Sequence, residues 1–262
     1  MRLLELMQVI EDVVPQNLAL DWDNVGLLIG DENADIKKVY IALDATDEVL
    51  GDAIEQGADL IITHHPLIFS GMKSVTAEDF IGRRVIGMIS NNISYYVMHT
   101  NFDVQVMGDL ACEYLDIEDC TVLDVTTLDD GVPKGIGCVA DLNKPMDLKE
   151  LGHLCKTAFG LSTVKIFGDA EQHIKKIAIA PGSGKSEVDA AVAAGADVLI
   201  TGDIDHHTGI DAVARGLVII DAGHYGLEHI YIEYMTNLIK GIAPEVGVAV
   251  APKKEPFWVI SD

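Results

Sequence analysis

Ile36-Lys37-Lys38-Val39-Tyr40-Ile41-Ala42, followed by Gly57-Ala58-Asp59-Leu60-Ile61-Ile62-Thr63, is the stretch from which the fold can be read. Val39 to Leu43 and Leu60 to Thr63 are short apolar runs with the length and composition of buried strands. Between them, Asp47 to Gln56 reads as a helix, and Gly57 is a natural place for it to stop. Strand, helix and strand in that order form the crossover that a parallel sheet requires.

The unit recurs. Ile174-Lys175-Lys176-Ile177-Ala178-Ile179-Ala180 and Gly195-Ala196-Asp197-Val198-Leu199-Ile200-Thr201 follow the first copy at a constant offset, 174 − 36 = 138. Of the 28 positions from 36 to 63, 11 are identical to their counterparts. An ungapped match over a whole strand–helix–strand unit favours duplication over convergence.

Further elements follow outward. Leu3 to Val14 is an amphipathic helix ended by Pro15. Asp21 to Gly26 is a turn that leads into a short apolar strand. Thr76 is the expected N-cap of a helix. Ser94 to Met98 is a strand that runs into His99-Thr100-Asn101-Phe102-Asp103, with a helix to about Leu115 after it. From about Val125 to Phe167 come a Gly-rich hairpin, a helix from about Asp147 to Phe159, and a strand. The expectation is an α/β protein of two related, interlinked α/β domains, each with a mostly parallel or mixed sheet flanked by helices. The first spans 1–124 and carries His64, His65 and Asp103. The second spans 125–262 and carries His224 and Glu228, with a C-terminal segment that can pack back on the first.

Composition excludes several roles. Apolar residues make up 49% of the 262, enough for a sizeable core, yet no run reaches the roughly 18 apolar residues of a membrane span. A formal net charge of −24 opposes binding to nucleic acid or to anionic membranes. The start of the chain does not read as a signal peptide. Four cysteines without a C-x-x-C pair argue against a thiolate zinc site and against a disulfide framework, and so for a cytoplasmic setting.

The chemistry collects at strand ends, where open α/β sheets bind their ligands. Six of the nine histidines, at 64, 65, 99, 206, 207 and 224, lie just past an expected strand. His224 and Glu228 are spaced i, i+4, so a helix from Gly226 onward places both on one face. Neighbours on a strand point to opposite faces, so His64 and His65 favour two ions over one. Asp103 and Glu228 can ligate or bridge. Imidazole with carboxylate suits Zn, Fe, Mn, Co or Ni without distinguishing among them. Singly, each has a plainer reading: a strand-end histidine, an N-cap at Asp103, a solvated helix pair at His224 and Glu228.

Gly182-Ser183-Gly184-Lys185-Ser186 lacks the glycine that a P-loop needs five positions before its Gly-Lys pair, and reads as a turn into a helix whose N-terminus could hold a phosphate. Trp22 and Phe257-Trp258 read as packing or subunit contacts, not as stacking platforms.

Taken in order, Asp21-Trp22-Asp23-Asn24-Val25-Gly26, Thr63-His64-His65-Pro66-Leu67-Ile68-Phe69, His99-Thr100-Asn101-Phe102-Asp103, Gly182-Ser183-Gly184, Ile200-Thr201-Gly202-Asp203 and Asp221-Ala222-Gly223-His224 through Glu228 resemble the NIF-three-like family, also called the GTP cyclohydrolase I type 2 homologue family. The resemblance spans nearly the whole chain, in a short form without an inserted domain. It implies two divalent metal ions per subunit, held by His64, His65, Asp103, His224 and Glu228, in a ring-shaped homohexamer. It also implies a metal-dependent hydrolase acting on a nucleotide-like small molecule, of GTP cyclohydrolase type, with His99 or His207 in proton transfer or ligand orientation. The alternative is a non-enzymatic metal carrier or a metal-dependent regulatory or scaffold protein. Two positions depart from the family: Leu28 stands where glutamine is usual, and Gly137-Cys138 where Gly-Arg is common.

Overall fold

The computed structural model of the protein describes residues 1–260. In chain order the elements are α1 (Leu3–Glu11), β1 (Gly26–Ile29), β2 (Lys38–Ala42), α2 (Asp47–Glu55), β3 (Leu60–Thr63), α3 (Phe80–Ser90), β4 (Ser94–Val97) and α4 (Thr100–Phe102). A π-helical turn (Asp103–Met107) leads into α5 (Gly108–Tyr114), then β5 (Thr121–Asp129), β6 (Val132–Asp147), α6 (Leu148–Ala158), β7 (Lys165–Phe167) and β8 (His173–Ser183). Next come α7 (Val188–Ala193), β9 (Val198–Gly202), α8 (His206–Ala214), β10 (Val218–Asp221), α9 (His224–Glu228), α10 (Ile230–Ile242) and β11 (Gly247–Val250). The fold is mixed α/β, with two sheets flanked by helices.

The chain forms two compact units, residues 1–102 with 231–253, and residues 103–230 with the chain from Lys254 onward. The division expected at 124/125 thus falls at 102/103. The reason is local: the turn at Asp103–Met107 packs on β6, and α5 packs on β6 and β8, so this helical stretch belongs with the second sheet.

In the first unit the strand order is β1-β4-β3-β2-β11. β4, β3, β2 and β11 are parallel, and β1 closes the edge antiparallel to β4. β11 pairs with β2 from Gly247↔Lys38 to Val250↔Ile41, which is how the C-terminal segment returns. α2 is capped by Thr46, whose hydroxyl accepts the Val49 N–H. α3 begins three residues later than a Thr76 cap would place it. Asp79 is the cap, accepting the Gly82 N–H at 3.0 Å. The core packs Tyr40, Leu50, Ile61, Val85, Met88 and Tyr95 together.

In the second unit the order is β5-β6-β8-β9-β10-β7. β8, β9 and β10 are parallel; β5, β6 and β7 are added antiparallel. Asp130 and Gly131, both at positive φ (46° and 83°), close the β5–β6 hairpin as a tight turn of the kind that matches strand twist. Ala178, Ala180, Leu199, Leu217 and Ile219 form its core.

The duplication extends to individual hydrogen bonds. Val39 pairs with Leu60 in one unit and Ile177 with Val198 in the other, each pair offset by 138. Asp59 Oδ2 accepts the backbone N–H of Lys37 and Lys38 at 2.8 and 2.9 Å; Asp197 Oδ2 accepts those of Lys175 and Lys176 at 2.7 and 2.9 Å. Lys38 Nζ reaches the Gln56 carbonyl, and Lys176 Nζ that of Ala194. Both copies thus satisfy the N–H groups at the start of the strand with the same aspartate.

Against the sequence expectation, Cys112 and Cys120 are joined as a disulfide, which clips the end of α5 to the start of β5. A spacing of eight residues escapes any C-x-x-C search.

Candidate metal centre

β3 ends at Thr63, and the chain bends at once. Thr63 Oγ1 donates to the His65 carbonyl at 2.8 Å and lies 2.6 Å from the Tyr95 hydroxyl. That hydroxyl accepts the Leu67 N–H at 2.9 Å and lies 3.0 Å from the His65 carbonyl. Burial pushes the Tyr95 phenol up to about 12, although the Thr63 and Leu67 hydrogen bonds pull the other way. The bend removes the opposite-face geometry that the sequence implied for His64 and His65. Their ring centroids are 4.9 Å apart. His99, from the end of β4, joins them at 5.2 and 5.6 Å. Ring nitrogens of the three, one from each, lie within 4.8 Å of one another, close enough to hold a metal ion.

Each of these rings is fixed by its Nδ1. His64 Nδ1 is 2.9 Å from the Met98 carbonyl, His65 Nδ1 is 2.8 Å from Asp44 Oδ1, and His99 Nδ1 is 2.9 Å from Asp23 Oδ1. A carbonyl only accepts, so His64 carries its hydrogen on Nδ1 and keeps a lone pair on Nε2. The carboxylates impose the same tautomer on His65 and His99. This is the outer-shell pattern of metal-binding histidines.

Asp23 accepts more than the His99 hydrogen. Its buried carboxylate also takes the Thr100 N–H (2.9 Å) and hydroxyl (2.6 Å). Burial opposes its ionisation. The hydrogen bonds from His99 and Thr100 outweigh that and hold it well below the usual carboxylate range.

In the second unit His224 opens α9, two residues earlier than the expected start at Gly226, and Glu228 ends it. The i, i+4 spacing puts His224 Nε2 2.9 Å from Glu228 Oε2, while His224 Nδ1 lies 2.9 Å from Asp203 Oδ2. Thus a fourth histidine has Nδ1 on an acceptor, with its Nε2 and a nearly buried carboxylate converging. Two glycines make the room. Gly202, the counterpart of His64 in the duplication, sits where a Cβ would come within 2.4 Å of the His224 backbone nitrogen. Gly182, at φ +82°, sits where a Cβ would come within 2.4 Å of Glu228 Oε1. Asp221 braces the same loop, accepting the N–H of Ile204 and Gly223 and pairing with Lys165 Nζ at 2.6 Å.

Asp103 heads the π-helical turn at the start of the second unit and is partly buried; such turns recur at functional sites. His207 lies exposed on α8, its ring 5.2 Å from that of His206, and has no place in the histidine cluster described above. The Gly182–Ser186 turn leads into a six-residue helix, and Lys185 is engaged by Asp205 at 2.7 Å. Sequence reasoning missed Asp44 entirely, and quoted Asp23 and Asp203 without giving them a role.

Over residues 1–256 the chain matches Duf34/NIF3 (NGG1p interacting factor 3). The chain belongs to this family. A Clostridium perfringens protein named GTP cyclohydrolase 1 type 2 homolog is 38% identical, with 99% of this chain and 100% of that protein covered. Among solved structures, Staphylococcus aureus protein SA1388 shares 30% identity at a TM-score of 0.88, with 99% of both chains covered. A Bacillus cereus protein related to NIF3 reaches a TM-score of 0.90 at 23% identity, again over 99% of both; that likeness concerns the fold alone. Among the described residues of this NIF3-family protein, no helix is long and apolar enough to cross a membrane.

Proposed function

We propose that this NIF3-family protein is a dinuclear divalent-metal-dependent hydrolase acting on a nucleotide-like small molecule, with His64, His65, Asp103, His224 and Glu228 as metal ligands. The observation that carries the reading is the shared state of His64, His65 and His224: each has Nδ1 against an acceptor, which leaves Nε2 as the coordinating atom. The donor set of imidazoles and carboxylates fits Zn, Fe, Mn, Co or Ni. Divalent ions held there would supply Lewis-acid activation of water for hydrolysis. The residues supply the rest. Asp44, Asp203 and the Met98 carbonyl orient the ligating rings. His99 Nε2 takes up or returns a proton, and Asp23 stabilises the imidazolium that forms. The name carried by relatives such as the Clostridium perfringens protein favours a purine nucleotide as substrate.

The test is metal content by mass spectrometry on purified wild type, His64→Ala and Glu228→Ala, with circular dichroism as the folding control, beside a turnover screen of nucleotides and phosphoesters. The expected result is about two ions per chain, lost in the folded variants, with turnover that follows the metal. Bound metal without turnover of any compound would instead favour a carrier or regulator. Wild type that takes up no divalent metal would sink both.

A further inference from the structure

Trp22 and Phe69, which the metal reading does not use, form a cluster with His99. Trp22 and Phe69 have ring centroids 5.6 Å apart and are tilted by 36°. Both meet His99 near edge-on, at 6.0 and 6.4 Å. Yet Trp22 keeps 57% of its surface exposed and Phe69 52%. A pair that served only to pack would be buried; this one meets His99 and still keeps more than half of its surface in water.

The cluster is built, not incidental. Trp22 lies in the turn that also supplies Asp23, the acceptor for His99 Nδ1. Asn24, in the same turn, donates from Nδ2 to the Ile68 carbonyl at 2.6 Å, which ties the Trp22 turn to the residue before Phe69. One short segment therefore sets the tautomer of His99, presents an indole beside it and positions the phenyl ring.

Against the sequence reading of Trp22 as a packing or subunit contact, we propose that Trp22 and Phe69 form a stacking platform for a planar nitrogen heterocycle, a purine base presented as a base or nucleoside, with its edge directed toward His99. Aromatic faces bind such rings because every base has a π-face to offer. The net charge of −24 and the exposed Asp21 that precedes Trp22 disfavour recognition through phosphates at this point, so the ring is the recognised element. This deepens the hydrolase reading, because it gives a substrate class to the site where His99 acts.

The experiment is equilibrium dialysis of the full chain with adenosine, inosine and ribose, run on metal-loaded and chelated protein, with metal content read on the same samples. Adenosine and inosine are expected to bind and ribose is not. Trp22→Leu and Phe69→Leu should each weaken nucleoside binding roughly tenfold or more, while Trp22→Phe keeps most of it. Asn24→Ala, which frees the two aromatics from each other, should weaken it less. Metal content should be unchanged in all four. Ribose binding as tightly as adenosine, or unchanged adenosine binding in both leucine variants, would overturn the platform and leave the metal reading standing. Nucleoside binding by a protein that holds no metal would do the reverse. Sedimentation on wild type and Trp22→Leu covers the remaining occupant: an assembly that dissociates in the variant would make the aromatic pair a contact between copies and end the proposal.

Discussion

Asp23 accepts the Nδ1 hydrogen of His99 across 76 residues of chain, at 2.9 Å to one carboxylate oxygen and 3.0 Å to the other. The same carboxylate takes two hydrogen bonds from Thr100, so it fixes both the ring and the start of the helical stretch after β4. Replacing Asp23 by alanine frees the His99 tautomer without touching a proposed ligand. Loss of an outer-shell acceptor typically weakens metal binding by about 10–100-fold. Competition against a chromophoric chelator should show a loss in that range for Asp44→Ala, which strips the acceptor of the proposed ligand His65, and a much smaller change for Asp23→Ala. An equal loss in Asp23→Ala would show that His99 is itself a ligand.

Gly182 is held at φ +82° with Glu228 Oε1 where its side chain would be. Gly182→Ala therefore meets two penalties at once, a left-handed backbone and a collision with a carboxylate. The backbone penalty alone is about 1–3 kcal/mol. Glu228 must also turn away from His224 Nε2. Denaturant unfolding should report the stability loss, and metal content should fall by more than a Gly→Ala change at an exposed loop would cause. A fully loaded, equally stable variant would contradict the close approach.

The Tyr95 hydroxyl gathers Thr63, the His65 carbonyl and the Leu67 N–H beneath the bend that brings His64 and His65 together. Tyr95→Phe keeps the ring and strips the hub, leaving the buried Leu67 N–H without its acceptor. A loss of about 1–3 kcal/mol is expected, measured by urea denaturation of metal-free protein so that ligand binding does not mask it. A change within error would mean that the bend is held by Thr63 and Pro66 alone.

The duplication was readable in sequence because both copies keep their strand–helix–strand pattern and the aspartate that closes it, at Asp59 and Asp197. The histidines were readable because rare polar residues stood at the ends of apolar strands. Their acceptors were not. Asp44 looks like any loop aspartate, and Asp23 and Asp203 acquire a role only when turns distant in sequence meet their histidines. The faces of His64 and His65 were misread because the strand rule was extended one residue past Thr63, where the ladder has already ended. The unit boundary was placed late for a similar reason: nothing in Asp103–Tyr114 states which sheet the helical stretch will cover.

Glu187 offers a pH test away from the histidines. It is buried, and burial raises its pKa; the nearby Asp124 adds to this, and a hydrogen bond with Ser186 only partly offsets it. A carboxyl raised on folding favours the protonated form in the native state. Its cost is absent below the unfolded value and grows as pH rises through that value toward the folded one. Glu187→Gln should match wild type near pH 4 and become progressively the more stable above it. Thermal unfolding from pH 4 to 8 checks this. A constant difference across the range would show that Glu187 does not titrate on folding.

Cys138 and Cys155 are both buried, with thiols pushed up to about 12 by burial, helped at Cys138 by the carboxylate of Asp109, to which the thiol donates. Only the thiolate reacts with alkylating agents. At pH 8 an ordinary thiol is ionised to a substantial fraction, whereas these are not, so iodoacetamide should modify the native protein roughly a thousandfold more slowly than the unfolded chain. Intact-mass measurement without reductant should then find two alkylated cysteines after unfolding and none before, with Cys112 and Cys120 protected in both states by their disulfide. Rapid native modification of Cys138 would show that β6, the strand that carries it, opens, and modification of all four after unfolding would show that Cys112 and Cys120 are reduced.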